Sequence, residues 1–112
     1  MKNIWITGSI NSGKSTVAKI LGVKLKMAVI ELDAFSEFVE TWMPFEDYVA
    51  LNYALVSDVV GAYNRRSIGA IVVYPLGEKV FMENEEKFSD FDILIIDPGF
   101  ENALKQGGSR VL

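Results

Sequence analysis

Cysteine and histidine are both missing from the 112 residues, and only three prolines are present. Without thiols there is no disulfide framework, no thiolate nucleophile and no Cys/His zinc site. Without imidazole a Ser-His-Asp triad is impossible, and any general base must be Asp, Glu, Lys or Tyr. Long hydrophobic runs are scarce as well. The longest, at 70–76 and 93–96, fall far short of the roughly 18 residues that a membrane span needs. The first strand-like run turns polar at Thr7-Gly8-Ser9 and forms no signal-peptide core. These absences predict a cytoplasmic protein with no membrane partner. Bases are fewer than acids, 11 against 15, for a net charge of −4. That balance speaks against a nucleic-acid partner, which needs a basic face to neutralise phosphates.

Half of the residues are apolar and 23% are charged, a globular composition. The length suits a single domain, here residues 1–112. Apolar runs at Asn3–Thr7, Ala28–Leu32, Ala70–Tyr74 and Ile93–Ile96 read as strands. Between them, Val17, Ile20, Leu21 and Leu25 recur at helical spacing. Pro44 with Glu46 and Asp47 opens a second helical pattern, carried by Tyr48, Leu51, Leu55, Val59 and Ala62. It ends near Arg65 and Arg66, with Gly69 as a breaker. Residues 78–88 read as a polar helical stretch, and Phe100 to Gln106 as a short helix. Alternating strands and helices predict an α/β fold whose parallel sheet of about four strands is covered by helices on both faces. Ligands of such sheets sit beyond the carboxyl ends of the strands. The segments starting at Gly8, Asp33, Pro75 and Asp97 all fall on that edge.

Gly8-Ser9-Ile10-Asn11-Ser12-Gly13-Lys14-Ser15 fills every fixed position of G-x-x-x-x-G-K-[ST], between a strand and a helix. The two glycines let the backbone wrap closely around a phosphate. Successive N–H groups then form an anion nest at a helix N-terminus. Lys14 would hold the β- and γ-phosphates of a nucleoside triphosphate. The Ser15 hydroxyl would ligate Mg²⁺, and Thr16 would help to hold the α-phosphate.

With that loop in place the chain resembles the small P-loop kinases, the group of adenylate kinase, shikimate kinase, adenylylsulfate kinase and chloramphenicol phosphotransferase. Three further features carry the resemblance: Glu31-Leu32-Asp33-Ala34-Phe35 at the end of the second strand, a long helical second crossover, and a lid-like Gly107-Gly108-Ser109-Arg110. It implies the P-loop NTPase three-layer fold, ATP and Mg²⁺ as cofactors, and phosphoryl transfer to a hydroxyl of a small molecule. It also implies a fifth strand and further helices beyond the lid. The chain ends at Leu112 and is expected to lack them, and a second copy is an expected cover for the open sheet edge.

Asp33 is the candidate base for the acceptor hydroxyl, or a Mg²⁺ carboxylate acting through water. The same residue type also suits a helix N-cap. Asp97 ends Ile93-Leu94-Ile95-Ile96 like a metal-holding strand acid, yet Asp97-Pro98-Gly99 also makes an ordinary turn. Arg110 is either a lid arginine that stabilises the transferring phosphoryl group or a solvated residue near a terminus. Phe35, Phe38, Trp42, Met43 and Phe45 read mostly as core, with an acceptor pocket as the other reading. Arg65 and Arg66 read as helix-end charges. Glu83, Glu85 and Glu86 read as a solvated face. A nucleotide-binding module without transfer activity is the second functional reading. An ATPase or GTPase switch is weaker, because N-K-x-D is absent and Gln106 is the only glutamine.

Overall fold

Branched side chains pack well on a pleated surface, so short runs rich in them become strands. This computed structural model describes residues 2–8, 13–76, 82–83 and 85–96. The strands are Asn3–Thr7 (β1), Ala28–Glu31 (β2), Ala70–Val73 (β3) and Phe91–Ile95 (β4). The helices are Lys14–Leu25 (α1), Asp33–Glu40 (α2) and Phe45–Asn64 (α3), with a 3-10 turn at Glu85–Phe88. The sheet runs β2-β3-β1-β4, and each neighbouring pair is parallel. Ile4, Trp5 and Ile6 stand opposite Ile71, Val72 and Val73. This is the expected P-loop α/β architecture, with β1 flanked by β3 and β4.

Alternation along the strands builds two cores. On one face Trp5, Ile30, Val72 and Ile93 pack with Val56 and Val60 of α3. On the other, Ile6, Ile71 and Val73 pack with Ala18 of α1. Trp5, Ile6, Ile71 and Val72 are wholly buried. A strand covered on both faces must be apolar throughout, which is why β3 reads as an unbroken run.

Helical spacing locates both long helices, but their buried faces differ from the simplest reading. In α1 the buried residues are Ala18 and Gly22, and Val17 and Leu21 are only partly buried. Ile20 and Leu25 are more than half exposed. Small side chains bring this helix close to the sheet: a Cβ on Gly22 would come within 2.7 Å of Val29 Cγ2. In α3 the buried stripe is Tyr48, Asn52, Val56 and Val60. Tyr48 belongs to the expected face, and Leu55 and Val59 of that face pack beside the stripe, partly buried. Asn52 is tolerated there because its amide donates to the Tyr74 hydroxyl at 2.9 Å, and a buried polar group that is paired costs little.

A polar clasp closes the amino ends of the strands. Asn3 and Asn64 exchange amide hydrogen bonds at 3.0 Å, and the Asn3 carbonyl oxygen also accepts from the Ala70 N–H. The stretch at 78–88 is helical at Met82 and Glu83, then becomes the 3-10 turn. The rest of that stretch and the helix expected at 100–106 lie outside the described residues. No helix among the described residues is long and apolar enough to cross a membrane.

Candidate functional site

The carboxyl end of β1 is where the sequence turns from branched residues to Gly8. Here β1 and β4 run close together. The Ile96 N–H donates to the Thr7 carbonyl at 2.8 Å, and a Cβ on Gly8 would overlap the Ile96 carbonyl. Gly8 has φ 151°, a backbone setting that only glycine adopts freely. Five residues later Gly13, at φ 87° and ψ 15°, caps the start of α1. The Val17 N–H donates to its carbonyl at 3.0 Å. The strand, the two glycines and the helix are therefore arranged as the motif requires.

Lys14 opens α1 and is half-buried. Its Nζ donates to the Gly8 carbonyl at 3.0 Å, so the ammonium spans the loop from its last residue back to its first. Ser15 follows in the same turn, half-buried, and Thr16 is exposed. No acid occupies the first turn of α1, which leaves the positive end of the helix dipole uncompensated by a carboxylate. Its chain neighbours and the helix backbone apart, no atom of the described residues lies within 4 Å of where a Gly13 Cβ would stand. These three observations fit a phosphate chain cradled by the loop. Ser9, Ile10, Asn11 and Ser12 lie outside the described residues.

Asp33 is the first residue of α2, and Leu32 holds the capping position. The side chain of Asp33 lies outside the described set. β2 is two strands from β1, so its carboxyl end lies about 10 Å across the sheet edge from the loop. Asp97 and Arg110 lie outside the described residues, although Ile96, next to Asp97 in the chain, packs on Gly8.

A connection that is hard to foresee holds the segment after β3 beside the loop. The Leu76 N–H donates to the Thr7 hydroxyl at 2.8 Å, and the Trp5 indole N–H donates to the Tyr74 carbonyl at 2.9 Å. The only hint in the sequence is a hydroxyl closing an apolar strand. Thr7 thus ties the exit of β3 to the exit of β1.

Three of the aromatic residues after Asp33 are not core. Phe38, Trp42 and Phe45 are 85%, 70% and 77% exposed, and Met43 is half-buried. The side chain of Phe35 lies outside the described set. Residues on a short helix–turn–helix elbow reach the core only through the face turned inward, and these three point away from it. Arg65 caps α3, and Arg66 donates to the Ala62 carbonyl at 2.9 Å, as helix-end charges do. Glu83, Glu85 and Glu86 are exposed. A cavity of about 610 Å³, bounded by Trp5, Tyr53, Phe88 and Phe91, lies toward the amino ends of the strands. None of the described loop residues lines it. Among the described residues no cluster of three acids could hold a metal by itself.

No family model matches the sequence. Over 37 residues the chain is 51% identical to a shikimate kinase from Sulfurihydrogenibium sp.. That stretch is 33% of this chain and only 22% of the relative. The fold matches a crystal structure from Chloroflexus aurantiacus, provisionally described as a kinase, with a TM-score of 0.62 and 18% identity. That match covers 97% of this chain and 68% of the other.

Proposed function

We propose that this small P-loop kinase-like chain transfers the γ-phosphoryl group of ATP, in the presence of Mg²⁺, to a hydroxyl of a small molecule. The observation that carries the reading is the Lys14 ammonium drawn back over Gly8 between the end of β1 and the start of α1. A cation held there meets the phosphates without first having to be ordered, and electrostatic preorganisation of this kind is a large part of phosphoryl-transfer catalysis.

Each residue then has a task. Gly8 and Gly13 leave room for the phosphates, and the backbone N–H groups of the loop and of α1 bind them. Lys14 neutralises charge on the β- and γ-oxygens. Ser15 holds Mg²⁺, which when bound offsets the negative charge that builds on the phosphates. Asp33 accepts the proton of the acceptor hydroxyl as the new O–P bond forms and the bond from the γ-phosphorus to the bridging oxygen breaks, releasing ADP. Asp97 is a second carboxylate for the metal, and Arg110 is a lid cation over the transferring group.

Calorimetric titration with ATP–Mg²⁺ tests the loop. Lys14→Ala should weaken binding roughly ten- to hundred-fold, the scale of a charge-assisted contact. Unchanged affinity overturns the reading. An acceptor screen that begins with shikimate, because of the 37-residue match, tests the transfer. Asp33→Asn should lower turnover by about 10²–10⁴ while ATP still binds. Nucleotide binding with no transfer to any acceptor would reduce the function to that of a nucleotide-binding module.

A further inference from the structure

The charges of this chain are sorted along its length. Residues 1–26 contain five lysines and no acid, whereas residues 27–64 contain seven acids and no base. The fold turns this sorting into two surfaces. On the outer side of α1, Ile20 and Val23 are 53% and 82% exposed. They stand three residues apart, and so share a face, with Lys19 and Lys24 exposed beside them. At the elbow between α2 and α3, the exposed rings of Phe38, Trp42 and Phe45 sit among the exposed carboxylates of Glu37, Glu40 and Glu46. None of these lysines or carboxylates is held in an ion pair among the described residues.

We propose that the basic apolar face of α1 in one copy of this chain docks on the acidic aromatic elbow of a second copy. Neither surface contains a loop residue or Asp33, and the self-association it predicts is read without any nucleotide or acceptor. The two patches are matched in both respects that make an interface. Aliphatic side chains meet aromatic rings, which are enriched in the centres of interfaces. Lysines meet carboxylates at the rim, where opposite charges set register and exclude wrong partners. Large apolar patches rimmed by charge on a small domain mark association sites. Each surface repels its own kind, so two α1 faces or two elbows would not pair. Reciprocal docking gives a closed twofold dimer, and single docking gives a head-to-tail series.

Sedimentation velocity on the full chain, from micromolar to near-millimolar concentration and at low and high salt, tests this. Self-association that weakens as salt is added is expected, since exposed charges are screened. Trp42→Ser or Val23→Asp should weaken it at least ten-fold. These residues are exposed, so the fold should survive, and circular dichroism checks that it does. The decisive comparison is charge exchange. Lys19→Glu with Lys24→Glu in one chain should abolish self-association, as should Glu37→Lys with Glu40→Lys in another. A 1:1 mixture of the two should associate, because the reversed α1 face now fits the reversed elbow. A chain that stays monomeric at every concentration overturns the proposal. So does self-association that ignores Val23 and Trp42, or a mixture that fails to associate. A monomeric chain retained on anionic lipid vesicles through α1 would assign that face to a membrane surface and overturn it equally.

Discussion

Gly8 stands where the ends of β1 and β4 almost touch. Alanine there would drive its methyl group into the Ile96 carbonyl and would have to adopt φ 151°. Backbone cannot swing aside as a side chain can, so Gly8→Ala should cost at least about 3 kcal/mol, the upper end for overpacking. Urea denaturation of the purified variant measures this, and a loss below about 1 kcal/mol would show that the two strand ends are further apart. At the other end of the chemistry, Tyr53 is half-buried against Trp5, with ring centroids 6.0 Å apart. Burial, with Tyr74 adding to it, pushes its hydroxyl up to about 12. An unfolded tyrosine ionises near 10. Between those values the unfolded chain has lost a proton that the fold retains, so stability is intact below pH 10 and falls as pH rises toward 12. The loss should be about 1 kcal/mol once solvent screening is allowed for. Tyrosinate absorbance during a pH titration should show a late-ionising component, and Tyr53→Phe should reduce it by one residue's amplitude.

Elements were easier to place from the sequence than their faces were. β1, β2, β3 and β4 begin and end within two residues of their apolar runs, because branched residues bounded by Gly, Asp or Pro leave few alternatives. The frame of the loop was legible for the same reason: a strand running to Gly8 and a helix opening after Gly13 are what its spacing predicts. The orientation of α1 was not legible. Helical spacing alone cannot say whether Ile20 or Ala18 faces the sheet, since contact distance favours the smaller side chain. Gly22→Leu tests that account. A leucine is a better helix former than glycine by about 1 kcal/mol, yet its Cβ begins within 2.7 Å of Val29 Cγ2 and 3.2 Å of the Met27 carbonyl. Crowding should prevail, with a net loss of about 2 kcal/mol on thermal unfolding; stabilisation would mean that α1 is not seated on Gly22. The elbow of α2 and α3 was misread for a related reason. Aromatic residues are usually inside, and nothing in Phe38, Trp42 or Phe45 distinguishes a ring that faces water from one that does not. Asp33 was legible as a residue at the sheet edge and at a helix start, and α2 begins within one residue of where that reading puts it.

At the scale of the whole molecule, the sheet order puts β1 between two neighbours, so the loop grows from an inner strand and not from an edge. Ligand bound there is coupled to the folding of the sheet and of α1 together. Mass action then sets the size of the effect: ATP–Mg²⁺ at a hundred times its dissociation constant should stabilise the chain by about 2.7 kcal/mol, or roughly 10–15 °C in Tm for a domain near this size. Differential scanning fluorimetry measures that shift, and Lys14→Ala should lose most of it. A full shift in the variant would mean that the nucleotide sits elsewhere on the molecule.

The two tryptophans differ as far as two indoles in one chain can, Trp5 being sealed and Trp42 70% exposed. Their fluorescence is therefore separable without any label. Acrylamide should quench Trp42 alone in the native chain, while the emission of Trp5 shifts only when the sheet itself comes apart, so a single cuvette reports surface contact and unfolding as distinct signals.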